Sequence, residues 1–182
     1  MSNLFMLSYV ILWGVVFLLA YSSISVMKKQ IQMVKEIPDT DMGLDIGTVF
    51  PIEKALTIDN KDMTLFKAKS EVSIVLLASS WCEMCKKVFP LFLSVAKQNP
   101  QYQFSVMMLG DLEEVTQHVR DYEITLPVKH AEQFEDLQTS LIPFAYALDG
   151  EGHVLAKGLI NTEEHLRLLL SIAKKTKHKF AA

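Results

Sequence analysis

The sequence is short of cysteine, of paired histidines and, over one long stretch, of charge. Cys82 and Cys85 are the only two cysteines in 182 residues. A framework of disulfide staples is therefore excluded, and a zinc site built on this pair would need two more ligands at recognisable spacing. None of the five histidines, His118, His130, His153, His165 and His178, stands four residues from another, so no helical histidine pair offers them. The formal net charge of -3 gives no global electrostatic reason to expect nucleic acid. No internal repeat or low-complexity segment is present.

Charge is missing altogether from Leu4 to Met27, which contain no Asp, Glu, Lys, Arg or His. At 1.5 Å rise per residue such a run covers the roughly 30 Å hydrocarbon core of a bilayer. A cleaved signal peptide is the competing reading, but it wants a basic n-region, and Met1 to Asn3 supply no basic side chain. A retained anchor over residues 1–27 is the expectation, with Tyr9, Trp13 and Tyr21 as interfacial aromatics. Lys28, Lys29 and Lys35 follow the span, which by the positive-inside rule favours a cytoplasmic domain. Dithiol chemistry has its more obvious use on the oxidising side of a membrane. The two arguments oppose each other. An extracytoplasmic domain on a single-pass anchor is the expectation followed here.

Residues 28–42 read as a linker, ending in the breaker cluster Ile37-Pro38-Asp39-Thr40, and residues 43–182 as one domain. Ala55 to Ile58 and Met63 to Phe66 flank the turn residues Asp59 to Asp62, a β-hairpin pattern. Val72 to Ala78 is a nearly continuous apolar run rich in β-branched residues, as a strand buried on both faces requires. From Cys82 the period becomes helical, with Cys85, Val88, Phe89, Leu91, Phe92 and Val95 on one face up to Asn99-Pro100. Gln103 to Leu109 is a second buried strand, so strand, helix and strand form a βαβ unit.

Asp111 and Glu114 stand at capping-box spacing for a helix to about Tyr122. A strand over Ile124 to Val128, interrupted by Pro127, and a short helix through Phe134 and Leu137 follow. Pro143 to Leu148 and His153 to Ala156 flank Asp149-Gly150-Glu151-Gly152, a hairpin signal. The last helix starts at Asn161 or Thr162, with Leu166, Leu169, Leu170 and Ala173 on one face, and ends in the basic run Lys174 to Lys179.

The two cysteines fall at the junction of the first buried strand and its helix, in Trp81-Cys82-Glu83-Met84-Cys85. One helical turn brings the sulfurs together. A disulfide closing so short a ring adds little global stability, because the loop-entropy effect grows with loop length. The pair therefore reads as a redox couple. Cys82, at the helix N-terminus, is the nucleophile, since exposed N–H groups and the positive dipole end favour a thiolate there. Cys85 is the resolving thiol, and Glu83 sets a negative charge beside the attacking sulfur. Two inert buried thiols, or a metal-escort module binding copper through Cys82, Cys85 and a distant histidine, are the alternatives.

Trp81, Cys82, Cys85, Lys86 and Pro90 stand as in the pattern W-C-x-x-C-K-x-x-x-P, and Ile142-Pro143 leads into a strand. On these residues the chain resembles the thioredoxin-like proteins. With the anchor and the extra hairpin, it resembles the membrane-tethered TlpA/ResA type and, within it, the MauD accessory proteins of methylamine utilisation. The resemblance spans about residues 43 to 175. It implies an α/β fold with a central mixed sheet flanked by helices, an extra N-terminal β-hairpin, and one transmembrane helix ahead of the domain. It also implies thiol-disulfide exchange on client protein disulfides through Cys82 and Cys85, in maturation of a secreted or periplasmic protein. Trp81, Ile142 and a cis Pro143 would meet the substrate, and a membrane or soluble thiol-disulfide partner would supply or remove electrons. No cofactor and no metal is implied. The chain departs from thioredoxin at Glu83-Met84, where thioredoxin has Gly-Pro. It departs again at Leu76, where thioredoxin has a buried acid.

Overall fold

The computed structural model describes residues 6, 12–21, 42–68 and 70–180. The chain divides into two compact units, Met1–Glu36 and Ile37–Ala182. In the first unit, residues 12–21 are helical, with Leu12, Val15, Phe17 and Leu18 exposed and Trp13 and Phe17 in ring contact at 5.8 Å. Among the described residues, no helix is long and apolar enough to cross a membrane. Apart from Met6, the rest of the span expected over residues 1–27 lies outside the described residues, as does the expected linker up to residue 41.

The second unit is built on β3 (Ser73–Ser79), every residue of which is buried. Ahead of it lies the antiparallel hairpin of β1 (Lys54–Leu56) and β2 (Asp62–Thr64). After it come α1 (Glu83–Gln98), β4 (Gln103–Leu109), α2 (Leu112–Asp121) and β5 (Val128–Ala131). A short 3-10 turn at Glu135–Leu137 leads to β6 (Phe144–Leu148), β7 (Val154–Leu159) and α3 (Glu163–Phe180). The five-stranded sheet has the order β5-β4-β3-β6-β7. β3 pairs with β4 in parallel and with β6 antiparallel, so the sheet is mixed.

Alternation along β3 sends side chains to two cores. Ile74, Leu76 and Ala78 join Cys85, Val88, Phe89, Phe92 and Val95 of α1 and Leu166, Leu169 and Ala173 of α3. Val75 and Leu77 face the opposite layer with Phe50, Leu65, Phe66, Phe134, Leu137 and Tyr146. The extra hairpin and the 3-10 turn thus roof the face that α1 and α3 leave open. In that layer the Tyr146 hydroxyl donates to the Leu137 carbonyl (2.7 Å) and accepts the Leu44 N–H (3.0 Å), tying three segments together.

Two sequence expectations are corrected. The strand expected over Ile124 to Val128 begins only at Val128, because Pro127 has no N–H to give the ladder; its carbonyl still accepts from Val106 N–H (3.0 Å). Asp111 occupies the N-cap position of α2 without a side-chain cap bond, and Glu114 turns away from the capping box toward Ser80. The hairpin expected around Asp149-Gly150-Glu151-Gly152, by contrast, is present: β6 and β7 pair antiparallel, and in the loop between them Asp149 Oδ1 accepts the N–H groups of Glu151 (2.9 Å) and His153 (2.8 Å).

Candidate functional site

Parallel pairing places Ser79 beside Leu109 and Leu109 beside Ala131, so the carboxyl ends of β3, β4 and β5 share one edge of the sheet. Open α/β sheets bind their ligands outside such edges. The chain leaves β3 through Ser80, whose N–H bonds the Leu109 carbonyl (2.9 Å), and turns into α1 through Trp81 and Cys82.

Cys82 is the N-cap of α1 and is joined to Cys85 in a disulfide, with Cα atoms 5.2 Å apart. Cys82 Sγ accepts the N–H of Cys85 (3.1 Å). That bond shows where a charged sulfur would be held: at the positive end of the helix dipole, facing a backbone donor. The two sulfurs have unequal surroundings. Cys82 is half-buried, whereas Cys85 is fully buried in the core with Leu76. Trp81, 63% exposed, and Met84, 41% exposed, flank the pair at the surface.

Glu83 does not stand beside Cys82 as an uncompensated charge. Its carboxylate is paired with the Lys86 ammonium one turn on. The hydrogen bond and charge of Lys86 hold the Glu83 carboxyl below its usual range, and the same hydrogen bond raises Lys86. The opposition to a Cys82 thiolate expected from Glu83 is therefore offset locally. Leu76 is completely buried beneath the site, and among the described residues no Asp or Glu is buried.

The Ile142–Pro143 peptide bond is cis. Antiparallel pairing sets Phe144 opposite Leu77, so Pro143 enters the sheet beside the end of β3 from which Cys82 emerges. Pro143 is buried and its carbonyl accepts from Ile160 N–H (3.0 Å), while Ile142 is half-buried and packs on the core. Trp81, Cys82, Cys85, Ile142 and Pro143 thus all belong to one end of the sheet.

The sequence did not single out Ser80, Gly110 or His130. The buried Ser80 hydroxyl donates to Glu114 Oε2 (2.9 Å). Gly110, at φ +137°, leaves space for it, since a Cβ there would fall 2.3 Å from Ser80 Oγ. His130 Nε2 meets the Gly110 carbonyl at 2.6 Å. A glycine ending an apolar strand was the available signal, but the partners lie on other elements. Among the described residues, the grouping of three metal-ligating side chains is Asp149, Glu151 and His153, in the loop before β7; neither cysteine belongs to it.

No protein-family model matches the chain. It is 31% identical over 139 residues to the methylamine utilization protein MauD of Paracoccus versutus, covering 74% of this chain and 69% of that one. It is 30% identical over 187 residues to MauD of Methylobacillus flagellatus, covering 95% and 88%. Among solved structures, the thioredoxin domain of a thiol-disulfide oxidoreductase from Bacteroides vulgatus matches with a TM-score of 0.59 at 16% identity, over 76% of this chain and 99% of that one. With the sheet order, the Cys-x-x-Cys helix start and the cis-proline strand already in place, these likenesses settle the family: the chain belongs to the MauD family of thioredoxin-like proteins.

Proposed function

We propose that the protein is a thiol-disulfide oxidoreductase acting on disulfides of client proteins through Cys82 and Cys85. The observation that carries this is the unequal pair at the start of α1, one sulfur accessible and held by a backbone N–H, the other enclosed. In the reduced protein the Cys82 thiolate attacks one sulfur of the client disulfide, forming a mixed disulfide and releasing one client thiolate. The Cys85 thiolate then attacks Cys82 Sγ, the mixed disulfide breaks, and the second client thiolate leaves. Two electrons pass to the client, the leaving thiolates take up two protons, and the protein is left with its Cys82–Cys85 disulfide. A thiol-disulfide electron partner returns it to the dithiol, and the reverse sequence oxidises a client.

Trp81, Ile142 and the cis Pro143 form the substrate-facing wall in this reading. A proline without an N–H leaves neighbouring backbone groups to pair with an extended client segment. The name of the relatives, methylamine utilization, supports a dedicated client, and the reading places that client among secreted or periplasmic proteins. The uncharged run Leu4 to Met27 supports a single-pass anchor, and the use of dithiol chemistry on the oxidising side of a membrane supports an extracytoplasmic domain.

Two experiments test this. Cys82→Ser is expected to abolish insulin-disulfide reduction, and Cys85→Ser to trap a mixed disulfide with the client in cells. A wild type without reductase activity, together with a Cys85→Ser protein that captures nothing, would sink the reading. In intact cells a membrane-impermeant thiol reagent is expected to label Cys82 after mild reduction; protection until lysis would place the domain in the cytoplasm.

A further inference from the structure

Beside the disulfide, on the side away from Pro143, lies an open cleft of about 630 Å³ lined by Trp81, Gly110, Asp111, Leu112, Glu114, His130 and Glu132. It is assembled from the segments that leave β3, β4 and β5 at their shared edge. Its apolar surface is unusually open to solvent: Trp81 is 63% exposed and Leu112 53%. Its charge is of one sign. Asp111, Glu114 and Glu132 contribute three carboxylates, and among the described residues no Lys or Arg lines it. Of the nearby cations, Lys86 is paired with Glu83, and Lys129 donates to the carbonyl of His130 (3.1 Å), so one positive charge adjoins the three carboxylates. His130 Nε2 meets the Gly110 carbonyl, which suits an N–H donated from that nitrogen.

We infer that this cleft docks a basic segment of the client, one carrying Lys or Arg next to the cysteine that Cys82 attacks. This rests on the exchange reading above and specifies the partner of the same site. Trp81 adjoins Cys82 in the chain, so a side chain lying over its ring is within a residue or two of the reacting sulfur. A cation satisfies both features of the cleft at once: an indole face attracts it, and the carboxylates on the far rim neutralise it. An acidic segment would meet three like charges. An uncharged segment would use the Trp81 and Leu112 surfaces and leave the charges of Asp111 and Glu132 unused, Glu114 already accepting from Ser80.

The test uses the pre-reduced full-length protein in single turnover against three disulfides: a disulfide-linked peptide with lysine on both sides of its cysteine, the matched glutamate peptide, and neutral hydroxyethyl disulfide. At low ionic strength the lysine peptide is expected to react on the order of tenfold faster than the glutamate peptide. The ratio should collapse toward one in about 1 M salt, where screening acts within about 3 Å. In the Asp111→Asn/Glu132→Gln variant the low-salt ratio is expected to fall to within about twofold. Equal rates for the two peptides, with hydroxyethyl disulfide still reduced, would overturn the docking inference and leave the exchange reading standing. Failure with all three disulfides would overturn the exchange reading, and the inference with it. A lysine preference that survives the double substitution would place the basic segment elsewhere and refute this cleft.

Discussion

Gly110→Ala is the most informative single change, because it presses on the turn that carries Cys82 without touching a sulfur. Two costs follow from the structure. The φ of +137° is one that a residue with a Cβ rarely adopts, which costs about 1–3 kcal/mol. The added Cβ would also fall 2.3 Å from Ser80 Oγ, 3.0 Å from Ser80 Cβ and 3.3 Å from Val115 Cγ2. Overpacking of that kind costs a further ~1–3 kcal/mol. A loss of about 3 kcal/mol is therefore expected from the single change. Ser80→Ala removes only the hydroxyl and its bond to Glu114, which is exposed and regains water, so it should cost about 1 kcal/mol.

The two changes should not add. With the hydroxyl gone the worst contact disappears, while the 3.0 Å approach of the Ser80 Cβ and the positive φ remain. The double variant is expected to lose about 2.5 kcal/mol, a coupling of about 1.5 kcal/mol relative to the sum. Urea unfolding of the oxidised protein, with unchanged m-values, measures all four corners of the cycle. Additive losses, or a Gly110→Ala protein within about 0.5 kcal/mol of wild type, would refute the claim that Gly110 exists to seat Ser80. Because Ser80 precedes Cys82 by two residues, Gly110→Ala should also slow disulfide exchange when assayed where the variant is fully folded.

Other substitutions probe the remaining contacts. Tyr146→Phe leaves the Leu44 N–H and the Leu137 carbonyl without their buried partner and should cost about 2–3 kcal/mol in thermal or urea unfolding. Burial pushes the Tyr146 hydroxyl up to about 12, so the folded state keeps a proton that the unfolded chain gives up near 10. Stability from this group is complete below pH 10 and is lost as pH rises toward 12, by about 2–3 kcal/mol in all; alkaline unfolding curves should show that slope and lose it in Tyr146→Phe. Glu83→Gln should change the exchange rate by less than about threefold, because the Glu83 side chain is largely exposed and water screens its charge; a larger effect in stopped-flow exchange with a neutral disulfide would show that the charge is felt at Cys82.

Elements whose neighbours lie close in sequence were legible, and contacts made across the sheet were not. The run Gln103 to Leu109 could be read as a strand because its apolar residues fill both faces, and it is β4 residue for residue. The helix after Cys82 was legible from its period and from the Asn99-Pro100 stop, and the hairpin around Asp59 to Asp62 from its turn residues. Glu114 was misread because its spacing from Asp111 fits a capping box, whereas its actual partner, Ser80, lies 34 residues away. At the site, the cysteine pair was legible from its spacing, and the cis proline only through the resemblance to thioredoxin-like proteins. The cleft of Asp111, Glu114, His130 and Glu132 was not, because it exists only once three strand ends have been brought to one edge.

The buried end of the site poses the last question, where the proton of Cys85 goes. Cys85 must become a thiolate to release the client, yet it is fully enclosed, with Leu76 in the same core and no buried carboxylate among the described residues. A carboxylate beneath the sulfurs would supply a base, but it would also lie in an apolar core at a cost of about 3 kcal/mol or more. Leu76 thus favours stability and leaves deprotonation to solvent at the Cys82 side, which should make resolution of the mixed disulfide slow near neutral pH. Leu76→Asp is expected to reverse the balance, destabilising the domain by about 3 kcal/mol while speeding release of the second client thiol by at least about tenfold. Single-turnover kinetics separate the two steps, because the first thiol released reports attack by Cys82 and the second reports resolution by Cys85. An aspartate that lowered stability and left the second step unchanged would show that the enclosed thiol loses its proton by another route, and that Leu76 is packing alone.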